Sequence, residues 1–525
     1  MSETPSPSLW RSGVVVSGLT LVSRVAGLIR DLVVAVTFGA GPHTDAFIVA
    51  FRIPNLLRRL FGEGAVSHAF VPVLAESDKR GGAEESRDLV ANVMGTLGGV
   101  LIALSTLGAI LAPVLVWVFA PGFIGQAERY DPAVVMLRIC FPYVFFISLV
   151  AAAGAVLQSR GQFAVPAATP ILLNLCIISA AIWIAPMLQQ PIYALAIGVM
   201  AAGVVQLLFQ LPALARVGLL VKPAWGWHHA GTRKVMHLLL PFVLSSGVYQ
   251  INTLVSTLVG SLLVASSVSW LYFADRLLEF PQALIGVTLG TVILPQLARV
   301  HLRADTSAFD NTVHWALHVG LLLGLPAALG LALLAEPVMS TLFQYGEFDL
   351  VDRDMSALAL RVLAVGLPAV ILIKVLTPAF SSRQDTRTPV RIAVISMVVN
   401  MVCCVAFGLG LYWAGFAAPH IGLSAATALS TLLQAGLLMV SLRRTVSWKL
   451  SRPVVLASLR LSFGLLVMAW VIVALSPEAQ WWDTSRAPER IATLGGIILA
   501  AVVAYVTTLA CTGLRPSDLR AAREP

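Results

Sequence analysis

The sequence predicts an all-α polytopic membrane protein, and three observations carry that prediction. Hydrophobic residues make up 58% of the 525 residues and charged residues 12%, and the mean hydropathy is +0.87. The apolar runs are about 20 residues long, the length that an α-helix needs to cross a bilayer. A β-barrel would instead show alternating segments of about ten residues. These properties exclude a soluble protein of several domains.

Runs of spanning length predict about fourteen transmembrane helices. In chain order they lie near residues 9–36, 43–75, 90–119, 134–157, 165–185, 192–214, 234–264, 272–297, 312–341, 356–379, 390–411, 421–442, 454–475 and 491–511.

The connections between these helices alternate in charge. One side of the predicted membrane holds 21 Lys and Arg residues, whereas the opposite connections hold only Arg129, Arg353, Arg486 and Arg490. By the positive-inside rule the basic side is cytoplasmic, so we expect both termini there. The net charge of +9 therefore reflects topology, and no nucleic-acid partner is expected.

An internal repeat with an offset of 223 residues is visible in the sequence. The pattern Ser-Arg, five residues and Pro at 159–166 recurs at 382–389, and Pro-x-Leu-Ala at 72–75 recurs at 295–298. Six helices per unit is an even number, so we expect two parallel six-helix repeats around a central cavity, plus two extra helices. The predicted domains are an N-lobe at 1–223, a C-lobe at 224–446, and the last two helices with a cytoplasmic tail at 447–525.

The stretch from Ser23 to Glu63 departs most from what a bilayer favours. A charged side chain at mid-bilayer costs roughly 2.5 to 3.5 kcal/mol on insertion scales, and such residues usually face an interior. The charges in the apolar part of this stretch are Arg24, Arg30, Asp31, Asp45 and Arg52.

In the first helix, Arg24 and Asp31 are seven residues apart and lie nearly on one face, with Arg30 beside them. Gly27 permits a break, and unwound backbone is tolerated where it lines a cavity. The functional interpretation is an anion site. The alternative is a cytoplasmic helix end whose arginines extend to the interface.

In the second helix, Arg52 and the pair Arg58 and Arg59 flank Pro54, which is expected to kink the helix. These arginines extend the anion site, or Arg58 and Arg59 mark the cytoplasmic interface. Glu63 supplies a counter-charge or belongs to a solvated helix end.

The eighth helix carries three charges in five residues. Asp275 and Glu279 are four residues apart and flank one face, and Arg276 is three residues from Glu279. We expect this cluster to be the second lobe's contribution to the cavity; the alternative is a structural salt bridge between the lobes.

The sequence lacks the phosphate loop of an ATPase and the motifs of metalloproteases and serine hydrolases. All five cysteines lie in apolar runs, so neither a disulfide nor a metal site is expected. A transporter that is not powered by bound ATP and is not an enzyme is the remaining interpretation.

Several motifs together resemble the MurJ (MviN) family of lipid II flippases, in the multidrug/oligosaccharidyl-lipid/polysaccharide exporter superfamily. They include Ser-Arg-x-x-Gly-x-x-Arg-Asp at 23–31, Phe-Gly-Ala-Gly at 38–41, Thr-Asp-Ala-Phe at 44–47, Pro-Asn-Leu-Leu-Arg-Arg at 54–59, Ala-Asp-Arg-Leu-x-Glu-Phe-Pro at 274–281 and Ser-Arg-Gln-Asp-x-x-Thr-Pro at 382–389. The resemblance covers the chain from the first to at least the twelfth helix. It implies a multi-pass protein of the bacterial inner membrane that moves the undecaprenyl-pyrophosphate-linked peptidoglycan precursor, lipid II, to the periplasmic leaflet by alternating access.

The motif matches imply that the family's cavity arginines correspond to Arg24, Arg30, Arg58 and Arg276. At the position of Arg52, family members have either Arg or Lys, so only the positive charge matches. The acidic partners fall on Asp31 and Asp45. Some members hold sodium with aspartates in helices 7 and 11, where this chain offers Asn252 and Asn400, so no such site is expected.

The resemblance implies lipid II, membrane lipids and cell-wall synthesis proteins as partners, no cofactor, and the membrane potential or an ion gradient as energy source. Two alternatives stay open. One is another exporter of the superfamily, for polysaccharide lipids or, with cation coupling, for drugs. The other is a membrane scaffold for cell-wall synthesis.

Overall fold

The computed structural model describes residues 7–62, 65–302, 306–443 and 452–514, and these residues form α-helices joined by turns and short 3-10 and π-helical segments. The prediction of an all-α membrane protein is confirmed. Glu63, the expected counter-charge, lies outside the described residues.

The chain divides into two compact units, Met1–Ser266 and Ser267–Pro525. The domain boundaries expected from the repeat, 1–223, 224–446 and 447–525, stay a prediction.

Unit 1 contains nine α-helices in its described part. They are α1 (Pro7–Phe38), α2 (Pro42–Gly62), α3 (Ala65–Ile110), α4 (Ala112–Phe119), α5 (Ala127–Cys140), α6 (Tyr143–Ser159), α7 (Ala164–Ser179), α8 (Tyr193–Arg216) and α9 (Ala230–Leu262).

Unit 2 contains ten α-helices in its described part. They are α10 (Ser267–Leu302), α11 (Thr306–Leu333), α12 (Ala335–Leu342), α13 (Leu350–Ser381), α14 (Arg387–Cys403), α15 (Gly410–Trp413), α16 (Ile421–Leu442), α17 (Arg452–Leu475), α18 (Ala479–Thr484) and α19 (Ala487–Cys511).

Ten helical stretches of the described chain are long and apolar enough to cross a membrane. The other four predicted spans coincide with α1, α2, α9 and α10. Three of these, α1, α2 and α10, contain the charge clusters singled out in the sequence. The count of fourteen stays a prediction.

Helix α1 is continuous over 32 residues, so the break that Gly27 permits does not occur. A Cβ at Gly27 would lie 3.7 Å from the side-chain nitrogen of Asn174 on α7. That distance is an ordinary van der Waals contact, so Gly27 neither unwinds the helix nor marks an unusually close approach of α7. A break does occur at Gly82 in α3, where φ is 67° and ψ is −146°, at the boundary between the second and third predicted spans.

Local structure recurs in the two units at the offset seen in the sequence. Helices α6 and α13 both end in a turn whose third residue, Gly161 or Gln384, has a positive φ of 75° or 60°. Helices α4 and α12 both begin after a leucine that interrupts a longer helix, Leu111 and Leu334. Each pair of positions differs by 223 residues.

The connection between α8 and α9 packs against α3 in unit 1. The backbone N–H of Ala224 donates to the carbonyl of Ala91 at 2.9 Å, and that of Gly226 donates to the hydroxyl of Thr96 at 3.0 Å. A Cβ at Gly95 would lie 2.1 Å from the carbonyl oxygen of Ala224. Glycine at 95 is thus required for this close backbone contact.

In unit 2, a charged cluster joins the helix pair α17 and α19 to α12 and α13. Arg353 on α13 forms an ion pair with Asp483 on α18. Arg490 on α19 is 5% exposed and donates to the carbonyl of Ser340 on α12 at 3.0 Å. The hydroxyl of Tyr505 on α19 donates to the carbonyl of Leu322 on α11 at 2.8 Å. The two predicted extra helices are therefore anchored to the rest of unit 2.

We expect Gly95→Ala to lower the free energy of unfolding by about 1 to 3 kcal/mol, because its methyl group has no space beside Ala224. The matched control is Gly495→Ala in α19, where nothing lies within 4 Å of a Cβ. Alanine there should be neutral or stabilise by up to about 1 kcal/mol, because it favours the helix. The measurement is thermal unfolding of both variants in detergent, and equal shifts would contradict the packing described.

Candidate functional site

The charges of α1 form a small network inside unit 1. Arg30 donates to one carboxylate oxygen of Asp31 through two nitrogens, at 3.0 and 2.7 Å. Its third contact is to the side-chain oxygen of Asn174 at 3.0 Å, and Asn174 donates to the carbonyl of Ser23 at 3.1 Å. Arg30 is thereby held between its own helix and α7.

Arg24 differs from its neighbour. Its side chain is exposed, and it has neither a hydrogen bond nor an ion pair with any residue that the structure describes. Arg24 and Asp31, which the sequence places nearly on one face, are not paired, because Asp31 pairs with Arg30.

The arginines of α2 are half-buried and contact neutral side chains. Arg52 donates to the hydroxyl of Thr257 on α9. Arg58 donates to the side-chain oxygen of Asn55, three residues earlier on α2, at 2.8 Å. Each of these contacts holds the guanidinium in place beside a neutral acceptor.

Asp45, at the start of α2, forms a fully buried ion pair with Arg129 at the start of α5. The carboxylate oxygen lies 2.9 Å from the guanidinium, and the side chains are 0% and 1% exposed. The same oxygen accepts the backbone N–H of Ser266 at 2.9 Å. Arg129 also lies 4.2 Å over the ring of Phe123. The pair joins α2, α5 and the connection that follows α9.

Sequence reasoning missed this role of Arg129, which it counted as one of four basic residues in the sparse connections. A separation of 84 residues leaves no local pattern that links Arg129 to Asp45. One usable signal was that these connections contain very few basic residues. An arginine on the side that disfavours positive charge indicates a specific ion-pair partner.

In unit 2, Arg276 on α10 forms an ion pair with Glu279 at 2.9 Å and lies 4.7 Å over the ring of Tyr272. Asp275 is exposed. Lys374 on α13 donates to the carbonyl of Gln282 on α10 at 3.1 Å. Arg276 and Glu279 of the predicted cluster therefore pair with each other, and its role in the cavity stays a prediction.

The first turn of α10 carries a buried polar contact. The indole N–H of Trp270 donates to a carboxylate oxygen of Asp352 on α13 at 2.9 Å. His420, before α16, packs against Trp270, and its Nε2 lies 2.9 Å from the carbonyl of Met355. Burial lowers the pKa of His420 to about 4, so the ring is neutral and Nε2–H is the donor.

Two buried asparagines form hydrogen bonds between helices. Asn174 joins α7 to α1, and Asn400 on α14 accepts from the hydroxyl of Ser430 on α16 at 3.1 Å. In the part of the chain that the structure describes, no group of three or more His, Cys, Asp or Glu could hold a metal ion.

Comparison with known proteins identifies the family of this chain. The family model described as "Lipid II flippase MurJ" matches residues 34–493. The chain belongs to the MurJ family. MurJ proteins are transporters and not enzymes, so the prediction of a transporter is confirmed.

Relatives cover nearly the whole chain. A probable lipid II flippase MurJ from Vibrio cholerae is 42% identical, over 99% of each chain. The lipid II flippase MurJ from Burkholderia cenocepacia is 38% identical, over 98% of this chain and 99% of the relative.

Solved structures of similar fold support the same family. A lipid II flippase MurJ in an inward closed conformation is 25% identical, with a TM-score of 0.77 over 95% of this chain and 100% of that one. An inward-facing multidrug resistance MATE transporter of the MOP superfamily is similar in fold, with a TM-score of 0.67, 15% identity, and coverage of 82% of this chain and 97% of that one. The resemblance read from the motifs is confirmed.

We expect Asp45→Asn to lower the free energy of unfolding by about 3 to 5 kcal/mol, because it leaves the Arg129 charge buried and uncompensated. The matched control is Asp354→Asn, which removes an acid that is 51% exposed from its ion pair with Arg353 and should cost at most about 1 kcal/mol. Urea or thermal unfolding of the purified variants measures both. Similar losses for the two would show that burial of the Asp45 pair is not what matters.

Proposed function

We propose that this chain is a lipid II flippase of the bacterial inner membrane. It moves the undecaprenyl-pyrophosphate-linked peptidoglycan precursor from the cytoplasmic to the periplasmic leaflet by alternating access, with both termini in the cytoplasm. The family and the names of its relatives support the substrate. The arrangement of the arginines supports the way in which the substrate is bound.

The observation that carries the binding proposal is the positive charge of α1 and α2. Residues 7–62 contain six arginines and two aspartates, a net charge of +4. Both aspartates are already in ion pairs, Asp31 with Arg30 and Asp45 with Arg129. These helices therefore attract an anion.

A pyrophosphate fits that requirement. Its oxygens accept several charge-assisted hydrogen bonds, and the planar guanidinium of arginine matches phosphate geometry better than lysine does. We assign the binding role to Arg24, Arg30, Arg52 and Arg58 of unit 1 and to Arg276 of unit 2, with Asp31, Asp275 and Glu279 as charge partners.

The polyprenyl tail needs an apolar path. Helix α17 presents an exposed apolar stripe at helical spacing, made of Leu459, Phe463, Leu466, Trp470 and Val473. We propose that the tail follows the pair α17 and α19 while the headgroup is bound by arginines.

The membrane potential is the proposed energy source. An inside-negative potential drives an anion outward by roughly 2.3 kcal/mol per net charge per 100 mV. The Asp45 and Arg129 pair is proposed to act as a gate: opening the end of unit 1 where it lies requires that this buried pair separate, and substrate charge offsets that cost.

We expect Arg24→Ala, Arg30→Ala and Arg276→Ala each to reduce outward movement of lipid II by roughly tenfold or more, because each removes charge-assisted bonds to the pyrophosphate. Insertion should stay normal in all three, and abundance in Arg24→Ala and Arg276→Ala. Arg30→Ala also removes the ion pair of Asp31, so its transport is compared at equal protein abundance. The measurement is leaflet-specific labelling of lipid II in cells depleted of this protein and rescued with each variant. Arg216→Ala, an exposed arginine at the end of α8, is the matched control and should rescue fully.

Two outcomes would redirect the proposal. If lipid II reaches the outer leaflet in depleted cells, another protein transports it, and the superfamily's drug or polysaccharide exporters become the better assignment. If the alanine variants support growth and transport normally, the arginines are structural and a scaffolding role gains support.

A further inference from the structure

A further arginine of unit 1, which is not among those assigned to the substrate, lines a groove. Arg138, on α5, lines a groove of ≈ 590 Å³ between α3 and the turn from α5 to α6. The rest of the lining is largely apolar and includes Ile102, Ala109, Ile110 and Phe145. The groove is open at the surface, where Ile102 and Ile110 are 55% and 66% exposed.

Arg138 lies near one end of a membrane span. It belongs to the helical stretch Ala127–Ser159, which contains a window apolar enough to cross a bilayer. It is four residues from the start of the span predicted at 134–157, a distance of about 6 Å along the helix axis. The side chain is exposed there, close to the level at which lipid headgroups meet the hydrocarbon, where an anionic group can lie beside it.

The chain itself supplies no such partner among the described residues, because Arg138 has neither a hydrogen bond nor an ion pair with any of them. A second polar group in the groove is also unsatisfied. The hydroxyl of Ser105 has no hydrogen-bond partner in the described structure, and Ser105 is 5% exposed. Such a hydroxyl needs a partner, which a water or a ligand atom can supply.

The internal repeat provides a control for this reading. The position 223 residues after Arg138 is Arg361 on α13, which forms an ion pair with Glu336 at 3.2 Å. Glu336 is the second residue of α12, and the matching position in α4 is Pro113. Unit 2 thus neutralises its arginine with a carboxylate of its own, whereas unit 1 has a proline there and a groove beside it.

We propose that the groove binds a membrane phospholipid with an anionic headgroup. The acidic group of the lipid takes the place that the Glu336 carboxylate occupies beside Arg361, and an acyl chain lies against the apolar walls. The hydroxyl of Ser105 donates to the lipid's ester or phosphate oxygens. This site is separate from the arginines assigned to the transported substrate.

The shape of the groove depends on tight packing around it. The ring of Phe141 lies against Gly108, where a Cβ would be 1.9 Å from the nearest ring atom, and Phe141 is 3% exposed. This contact fixes α3 against the end of α5 beside the groove.

The test is native mass spectrometry of the full-length protein in detergent with added phosphatidylglycerol or phosphatidylcholine. The wild type should retain phosphatidylglycerol in preference to phosphatidylcholine. Arg138→Gln should weaken that retention about tenfold, the effect of losing one charge-assisted hydrogen bond. The matched control Arg361→Gln should leave it unchanged, because Arg361 is already neutralised.

A second variant keeps the arginine and supplies the missing acid. Pro113→Glu reproduces the arrangement of α12 in α4 and should displace phosphatidylglycerol to the same extent as Arg138→Gln. Thermal unfolding in detergent without lipid should show that both variants fold, since neither removes a contact that the structure describes for Arg138.

Three results would overturn the proposal. One is equal retention of phosphatidylglycerol by the wild type and Arg138→Gln, and another is equal retention by the wild type and Pro113→Glu. The third is co-purification of a polyprenyl pyrophosphate with the wild type that is lost in Arg138→Gln, because the groove would then belong to the transported substrate.

Discussion

The structure depends on how charges are compensated at membrane depth. Water cannot solvate an ion in hydrocarbon, so each arginine needs a carboxylate, a ligand or a path to the surface. Arg129 and Arg30 take the first solution through Asp45 and Asp31. Arg24, which has no partner in the described chain, takes the second in the function proposed here. An ion pair holds its arginine in place, and in the function proposed here Arg30 binds the substrate from such a pair.

The sparse connections follow this rule closely. Arg129, Arg353 and Arg490 are each 5% exposed or less, and each is bound to carboxylates or carbonyls within its own unit. Partners within the same unit therefore bind these three guanidinium groups, which are shielded from solvent.

The internal repeat shows how one architecture carries different chemistry. The turns after α6 and α13 and the interrupted helices before α4 and α12 occupy equivalent positions. The residues at equivalent positions nevertheless differ. Arg361 has Glu336 where Arg138 has Pro113, and Arg129, paired with Asp45, stands at the position of Asp352, which accepts from Trp270. Backbone geometry is shared because it satisfies the helix ends, and side-chain partners are free to diverge.

Composition and periodicity alone determined the membrane class, the helical architecture and the repeat, because spanning length and backbone satisfaction are local requirements. The motifs determined the family. Only the tertiary structure decided which charges meet: Asp31 pairs with Arg30 and not with Arg24, and Asp45 pairs with Arg129, 84 residues away. It also showed that α1 continues through Gly27. Spacing along one helix predicts which residues share a face, but a partner on another helix is set by packing, which the sequence of either helix does not contain.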